Sequence, residues 1–520
     1  LRLVRSEMCI RDSPKTGLYK HREWRGFKDT MYYFNRIWLY NYGMLVADVM
    51  KYGGPWTLAK GIWRYRWVGQ TYLTVMHWFD RGFEGLRGEA MKATGWHYRA
   101  MVNETIRQFM RMFSADANLH GGKHNELWHK TAAHDETVAG AIFYPWRDRM
   151  DDVPLQMIPY FVTCHVNCHT VLNYIDAAQS IGLPGDPCPM CQAEAGLSIL
   201  DDMPDYFPFL VTSNEACDGS VGTSILQDWA YDKPLFAMPQ PMQFDDPLVQ
   251  KHCRREIEEC WKFIEEQTGE TFDWDAFFRA MKVYNQETEY ELQKWEVNRT
   301  PYPQMTGETF WIYRMFFYHL SGGMDPHFLD TDRRVNRIMM RGYQQKKPCA
   351  PAMRHRCVEW SCPANFYPDF SVWAENCWGI NVVASMESLI SDIIINTEDP
   401  DQALADLARS YQRTTMRKHT KGGYANVLDE LWIVCKQYNA DMVLMYDQIS
   451  CKGMDGLRGV FEEQAAARGV HMLWVAQDLL DSRTISKRDM RRQVNLYMQT
   501  VMGEEPVRPD LVDFDDALTW

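Results

Sequence analysis

The chain of 520 residues carries 56 Lys and Arg against 69 Asp and Glu, a formal net charge of −13, with 46% hydrophobic and 24% charged residues. That is the balance of an ordinary globular protein, long enough for two to four packed units of ~150 residues each. No uninterrupted apolar run approaches the ~18 residues of a membrane span, and the nearest segment, 31–52, is broken by Asn35, Arg36, Asn41 and Asp48.

Residues 1–14, "LRLVRSEMCIRDSP", have neither helical nor strand periodicity and lack the apolar core of a secretory signal. They read as a non-native leader and are set aside from the fold. Fourteen cysteines without a secretory signal imply a reducing compartment, the cytoplasm, where thiols pack, bind metal or react rather than form a disulfide framework.

Residues 15–150 read as a helical, basic, tryptophan-rich N-terminal region broken by Gly53-Gly54 and Gly121-Gly122. Residues 1–130 carry 21 Lys and Arg against 11 Asp and Glu, while the remainder carries 35 against 58. Such asymmetry suits either a docking surface for an acidic partner or an arm packed on the acidic body of its own chain. No zinc-finger, RNA-recognition or basic-zipper signature accompanies the charge, so nucleic acid is not an expected partner. "HGGKH" at 120–124 is too slight to mark a metal or phosphate site.

From 151 the pattern changes to a first α/β domain, 151–300. "MIPYFVTCHV", "FPFLVTSN" and "PLFAMPQP" read as strands, separated by "TVLNYIDAAQSIG" and "SVGTSILQDWAYD" and followed by helices at 246–267 and 273–297. Residues 301–350 form a helical connector. The second α/β domain, 351–505, has strands "INVVAS", "ADMVLMYDQ" and "VHMLWVAQD", with helical stretches over 402–439 and "MDGLRGVFEEQAAARG". Its last helix opens at Ser486 with Asp489 three residues on, a capping spacing, and 506–520 is an acidic tail. Short apolar runs alternating with amphipathic segments predict two Rossmann-like, doubly wound parallel sheets beside the helical N-terminal region.

Three cysteines hold equivalent places in this scheme. Cys188 precedes a helix in "GDPCPMCQAEAG", Cys217 ends a strand in "VTSNEACDG", and Cys451 follows the strand in "ADMVLMYDQIS". Carboxyl ends of parallel strands converge on one crevice. Three thiolates there suit an iron–sulfur cluster, with one iron left open as a Lewis acid toward a substrate oxygen. Two other readings stand beside it. Single buried cysteines are usually small core hydrophobes, and Cys164-x3-Cys168 with Cys188-x2-Cys191 is spaced like a zinc ribbon. Cys253, Cys260, Cys349, Cys357, Cys362, Cys377 and Cys435 show no pattern. Glu215, Asp218 and His165 lie near the constellation as candidates for proton transfer, though Asp218 would equally serve as a helix cap.

"DPCPMCQAEAG", "VTSNEACDG", "ADMVLMYDQISCKG" and "DLLDSRTISKRDMRRQVNLYMQ" resemble the 2-hydroxyacyl-CoA dehydratase / benzoyl-CoA reductase superfamily over about 155–503. The resemblance implies a [4Fe-4S] cluster on Cys188, Cys217 and Cys451. Gly196, eight residues past Cys188, fixes that alignment, and Cys191 is the fallback. It implies an acyl-CoA substrate, a homologous second subunit and an ATP-dependent iron–sulfur activator that injects single electrons. The thioester then becomes a ketyl radical from which water is eliminated, or an aromatic acyl-CoA is reduced, while the protein excludes water and oxygen. The sequence departs from the family at three places. Asn173 stands for a Glu of the first strand–helix unit, Ala476 for an acid two before Asp478, and Gln192 for a basic residue four after Cys188. These departures suit an electron-relay subunit, and Cys164, Cys168 and Cys191 leave room for a double-cubane cluster.

Overall fold

The computed structural model of the protein describes residues 54–64, 130–134, 142–146, 149–154, 169–200, 207–213, 218–238, 246–305, 326–347, 349–350, 352–367, 370–413 and 424–513, with single positions 43, 46, 47, 49, 50 and 307. Among these, β1 (Thr131–His134), β2 (Asp151–Pro154), β3 (Phe209–Ser213) and β4 (Leu235–Met238) form one sheet in the order β2-β1-β3-β4. β5 (His355–Trp360), β6 (Ile380–Ser385), β7 (Met442–Gln448) and β8 (His471–Gln477) form another in the order β6-β5-β7-β8. Every pairing is parallel. The two sheets therefore repeat one strand permutation. In each, the chain steps from the first strand to one side and returns on the other, leaving a switch point between β1 and β3 and between β5 and β7. Crevices of open α/β sheets form beyond the carboxyl ends at such points.

The helices are α1 (Gly54–Arg64), α2 (His169–Ser180), α3 (Pro189–Ile199), α4 (Asp218–Tyr231), α5 (Pro247–Thr268), α6 (Trp274–Arg299) and α7 (Pro326–Gln344). They continue with α8 (Phe370–Trp378), α9 (Pro400–Gln412), α10 (Tyr424–Tyr438), the single turn α11 (Lys452–Asp455), α12 (Arg458–Arg468) and α13 (Lys487–Thr500). Their ends follow local chemistry. Asp246 accepts the Leu248 N–H at 2.7 Å ahead of Pro247, and Gly269 closes α5 in the left-handed region, which glycine enters without a Cβ penalty. At α13 the Asp489 N–H donates to Ser486 Oγ at 3.1 Å while Ser486 Oγ donates to Asp489 Oδ2 at 2.6 Å, the reciprocal cap expected from the sequence. No helix among the described residues is long and apolar enough to cross a membrane.

β3 and β6 are buried along their whole length, and β7 nearly so. Covered on both faces, such strands read as unbroken apolar runs, which is why they were legible. β1, β2 and β5 were not. Residues 131–134, expected in the helical N-terminal region, form one of the two interior strands of the first sheet. The strand read at 157–166 lies outside the described residues. The helical reading of 402–439 resolves into α9 and α10, with 414–423 outside the described residues.

One helix serves both sheets. Near its start α6 places Phe277 and Met281 in the core under the first sheet, with Phe209, Val211, Ile257 and Trp261. At its end it places Trp295 and Val297 in the core around the second sheet, with Val358, Val382 and Leu444. Two buried or half-buried amides lock it. Asn285 Nδ2 donates to the Ile395 carbonyl at 2.7 Å while its Oδ1 accepts the Ile395 N–H at 2.9 Å. Asn298 Nδ2 donates to the Val383 carbonyl of β6 at 2.9 Å, and its Oδ1 accepts the N–H groups of Gln304 and Met305. α9 crosses in the other direction, burying Ala403, Leu404, Leu407 and Tyr411 in the first core.

At the amino end of the second sheet, His355 is held between two carboxylates. Its Nδ1 lies 2.7 Å from Asp441 Oδ2 and its Nε2 2.9 Å from Glu504 Oε1. The Asp441 hydrogen bond, with the two carboxylate charges, raises its pKa above the ordinary 6.5 against the opposing cost of burial. Arg354 also approaches Glu504, at 3.6 Å. Because the folded state holds this proton more tightly, the resulting stability is complete below the unfolded value and is lost as pH rises through the folded one. The thermal midpoint of the protein should therefore fall as pH is raised above 6.5 by an amount that His355→Gln abolishes. At lower pH that variant should be less stable by about 1.5–3 kcal/mol, the usual range for charged hydrogen bonds. Parallel pH–melting curves for the two proteins would show no His355 clamp.

Candidate metal centre

α3 is buried from Pro189 to Ser198, so the residue that opens it is held by a rigid element. That residue is Cys188, at the cap position, with Pro189 fixing the first helical φ. Its carbonyl accepts the Gln192 N–H at 3.2 Å, its thiol makes no capping hydrogen bond, and it is half-buried. Gln192, itself buried, ties down the incoming loop. Its Nε2 donates to the Pro187 carbonyl at 2.7 Å, and its Oε1 accepts from Gln179 Nε2 of α2 at 2.8 Å. Buried Glu194 accepts from Gln227 Nε2 of α4 at 2.6 Å, and Ser198 and the Tyr231 hydroxyl lie 2.9 Å apart. Gly196 permits the packing, because a Cβ there would sit inside the carbonyl group of Tyr174 in α2.

Cys451 repeats this arrangement beyond β7. Its N–H donates to the Gln448 carbonyl at 2.8 Å, and its own carbonyl accepts the N–H groups of Met454 and Asp455 at 3.0 and 3.1 Å. α11 thus starts immediately after it, and the thiol is half-buried. α4 likewise begins at Asp218, one residue past Cys217, which lies outside the described residues. A helix start offers unpaired N–H groups and a positive dipole end, both of which favour thiolate over thiol.

The loops at this edge are cross-linked by amides. Gln477, at the end of β8, donates through Nε2 to the Cys362 carbonyl at 2.8 Å and to Gln448 Oε1 at 2.9 Å. Asn365 donates its backbone N–H to the Leu479 carbonyl at 2.9 Å. Asp478 accepts the N–H groups of Leu480 and Asp481, and burial pushes its carboxyl up to about 6. Asp455 is pushed up to about 7, first by burial and then by the neighbouring Asp447, which also pairs with Arg458 at 3.1 Å. From the loop after β8, Arg483 reaches Asp176 of α2 at 2.9 Å while held by Asp481 at 2.7 Å. The carboxyl edge of the second sheet is thereby fastened to the helix pair that carries Cys188.

Other residues singled out in the sequence fall as follows. Cys164, His165, Cys168 and Glu215 lie outside the described residues, and Asp218 is the first residue of α4, its side chain not described. Cys191 is buried in the first turn of α3, its carbonyl accepting from Thr223 Oγ1 at 3.3 Å. Asn173 is exposed on α2. Ala476 lies in β8, where Gln493 Oε1 accepts its N–H at 2.8 Å. Among the described residues no three His, Cys, Asp or Glu side chains converge to hold a metal.

The donors present fit an iron–sulfur group in two respects. Cys188 and Cys451 are half-buried thiols at helix starts, whereas burial pushes the thiol of Cys253 up to about 11 and those of Cys377 and Cys435 up to about 12. The edge also holds buried polar atoms with no partner, namely both side-chain amide atoms of Asn365 and Oε1 of Gln477. In a native protein such atoms need an explanation, a bound water or a ligand among them.

A family model described as 2-hydroxyglutaryl-CoA dehydratase, D-component, matches residues 133–500. No curated protein matches the chain.

The Gly196 crossing makes a direct prediction. Gly196→Ala should lower stability by about 1–3 kcal/mol, the usual cost of overpacking, since the obstacle is backbone rather than a flexible side chain. A urea midpoint unchanged from the parent protein would show that α2 and α3 do not meet there.

Proposed function

The chain belongs to the 2-hydroxyglutaryl-CoA dehydratase D-component family, and from that premise we propose that it is the [4Fe-4S] subunit of an ATP-activated 2-hydroxyacyl-CoA dehydratase. A D-component is by its name one component of several. The proposed partners are a homologous second subunit, an ATP-dependent iron–sulfur activator and the acyl-CoA, in the cytoplasm. The observation that carries the reading is the repeated placement of half-buried Cys188 and Cys451 directly ahead of α3 and α11, with Cys217 directly ahead of α4.

In this reading Cys188, Cys217 and Cys451 hold the cluster, which when bound supplies one low-potential electron at a time. The chain's own residues do the rest. Helix-start amides would lower the cost of thiolate charge, Gln192 fixes the loop that carries Cys188, and Arg483 forms an exposed ion pair with Asp176 across the two halves. Such clusters are sensitive to water and dioxygen, whose access the surrounding chain and its partner subunit would have to limit.

The same geometry favours relay over direct substrate handling by this subunit. Gln192, where relatives of the resembled superfamily carry a basic residue, has both ends of its amide committed to the Cys188 loop. Asn173, where they carry an acid, is exposed on α2. Neither is arranged to move a proton at a thioester.

Anaerobically purified protein should contain about four irons and four sulfides per chain, with brown absorbance that air bleaches. Cys217→Ala and Cys451→Ala should each lose the cluster, while Cys435→Ala, buried in α10, should keep it. Stoichiometric zinc without iron would overturn the assignment. Turnover of a 2-hydroxyacyl-CoA should require the second subunit, the activator and ATP together. Elimination of water by this chain alone, without ATP, would exclude the division of labour.

A further inference from the structure

Within the connector read at 301–350, α7 lies against the second half of α6, and polar ties hold the pair. Buried Lys294 of α6 bridges Glu291 of its own helix and Asp332 of α7. Asn336 of α7 donates through Nδ2 to the Tyr290 carbonyl at 2.9 Å and to Gln293 Oε1 at 3.1 Å. Between the two helices lies a cleft of about 550 Å³, within the ~300–1,000 Å³ usual for small-molecule sites. It shares no residue with the candidate metal centre.

The two walls of the cleft differ in chemistry. Buried Val297 and Met339, with the exposed Met340, make one side apolar. The other side is a row of arginines. Arg333, Arg337 and Arg341 follow at four-residue intervals along one face of α7, about 6 Å apart at the helical rise. Arg333 pairs with Asp330 at 2.8 Å. Arg337 and Arg341 are exposed and have no acidic partner among the described residues. Lys294 is already neutralised by its two carboxylates, and none of the described residues lining the cleft is acidic. In a chain of net charge −13, this concavity therefore holds uncompensated positive charge, whose field a cleft concentrates.

We propose that the α6–α7 cleft binds an organic diphosphate. Its phosphoryl groups lie on Arg337 and Arg341, and its organic group lies against Val297, Met339 and Met340. Guanidinium forks match phosphoryl oxygens two at a time, and two of them one helical turn apart suit a pair of linked phosphoryl groups. An inorganic anion would leave the apolar wall unused, and an uncharged organic molecule would leave the arginines unused. Arg333, tied to Asp330, frames the mouth. The site needs no metal and does not depend on the cluster reading.

The test is calorimetric titration of the full chain with ADP, inorganic pyrophosphate and adenosine as probes. ADP should bind more tightly than either of the others, because it alone engages both walls. Arg337→Ala and Arg341→Ala should each weaken ADP binding by about tenfold or more, the loss expected when a hydrogen bond to a charged group is removed. Met340→Ser should weaken ADP and leave pyrophosphate unchanged. Arg409→Ala, which removes an exposed arginine of α9, should alter neither. All four positions are exposed, so thermal midpoints should stay at the parent value and separate lost binding from lost folding. ADP binding that survives both arginine substitutions would overturn the inference. Pyrophosphate binding as tightly as ADP would also overturn it, leaving a simple anion patch. If polyglutamate binds where ADP does not, the cleft is instead a docking groove for an acidic protein, and the inference fails.

Discussion

The organisation of this molecule depends on one rod. α6 runs for 26 residues, about 39 Å at the α-helical rise, with its early apolar residues in one core and its last turn in the other. An amphipathic helix ordinarily serves one interior. A helix that serves two must be fixed against sliding, because apolar contacts alone are not directional. Asn285 and Asn298 supply that fixity. Each presents a side-chain amide whose donor and acceptor are both used by backbone groups outside α6. The relative position of the two sheets, and so of the loops at their carboxyl edges, follows from those two amides.

Cysteines at the cap positions of helices are a particular solution to a charge problem. A thiolate inside a protein is costly, and burial alone drives the other way, as the raised pKa values of Cys253, Cys377 and Cys435 show. At a cap the backbone carbonyl makes the first helical hydrogen bond while the side chain stays available. Backbone amides at a helix start would offset a negative charge placed there. Burial pushes the carboxyls of Asp455 and Asp478 at the same edge up to about 7 and about 6.

The strands visible in sequence were those written as apolar runs, whether their burial is uniform, as in β3 and β6, or not, as in β4 and β8. β3, β6, β7 and β8 stand out as apolar runs, and the ends of α5, α12 and α13 carry recognisable caps. β5, "HRCVEW", was invisible because His355, Arg356 and Glu359 break its apolar run. Each is satisfied by tertiary partners that no local pattern reveals: His355 by Asp441 and Glu504, Arg356 by carbonyls of Asn298, Thr300 and Tyr438, and Glu359 by Ser385. β1, "TAAH", and β2, "DDVP", lack an apolar run, unlike β4, "LFAM", which is of the same length and was legible. Of the three cysteines singled out in the sequence, Cys188 and Cys451 stand directly ahead of α3 and α11, as their flanking patterns indicated, and Cys217 lies outside the described residues. Gln192 read as a missing basic residue, and only its hydrogen bonds reveal a structural task.

The crossing of α9 into the first core bears on how such a protein can be divided. Two sheets with the same strand order invite the idea of interchangeable modules, each able to be cut out, duplicated or recombined. α9 belongs by sequence to the second sheet, yet Leu404, Leu407 and Tyr411 are buried with Phe209, Ile257 and Trp261 of the first. A cut between the halves would leave an oily groove on one fragment and an oily helix on the other. The unit that evolution can transplant is therefore the whole pair, and insertions are best tolerated at its rim rather than at the seam between the sheets.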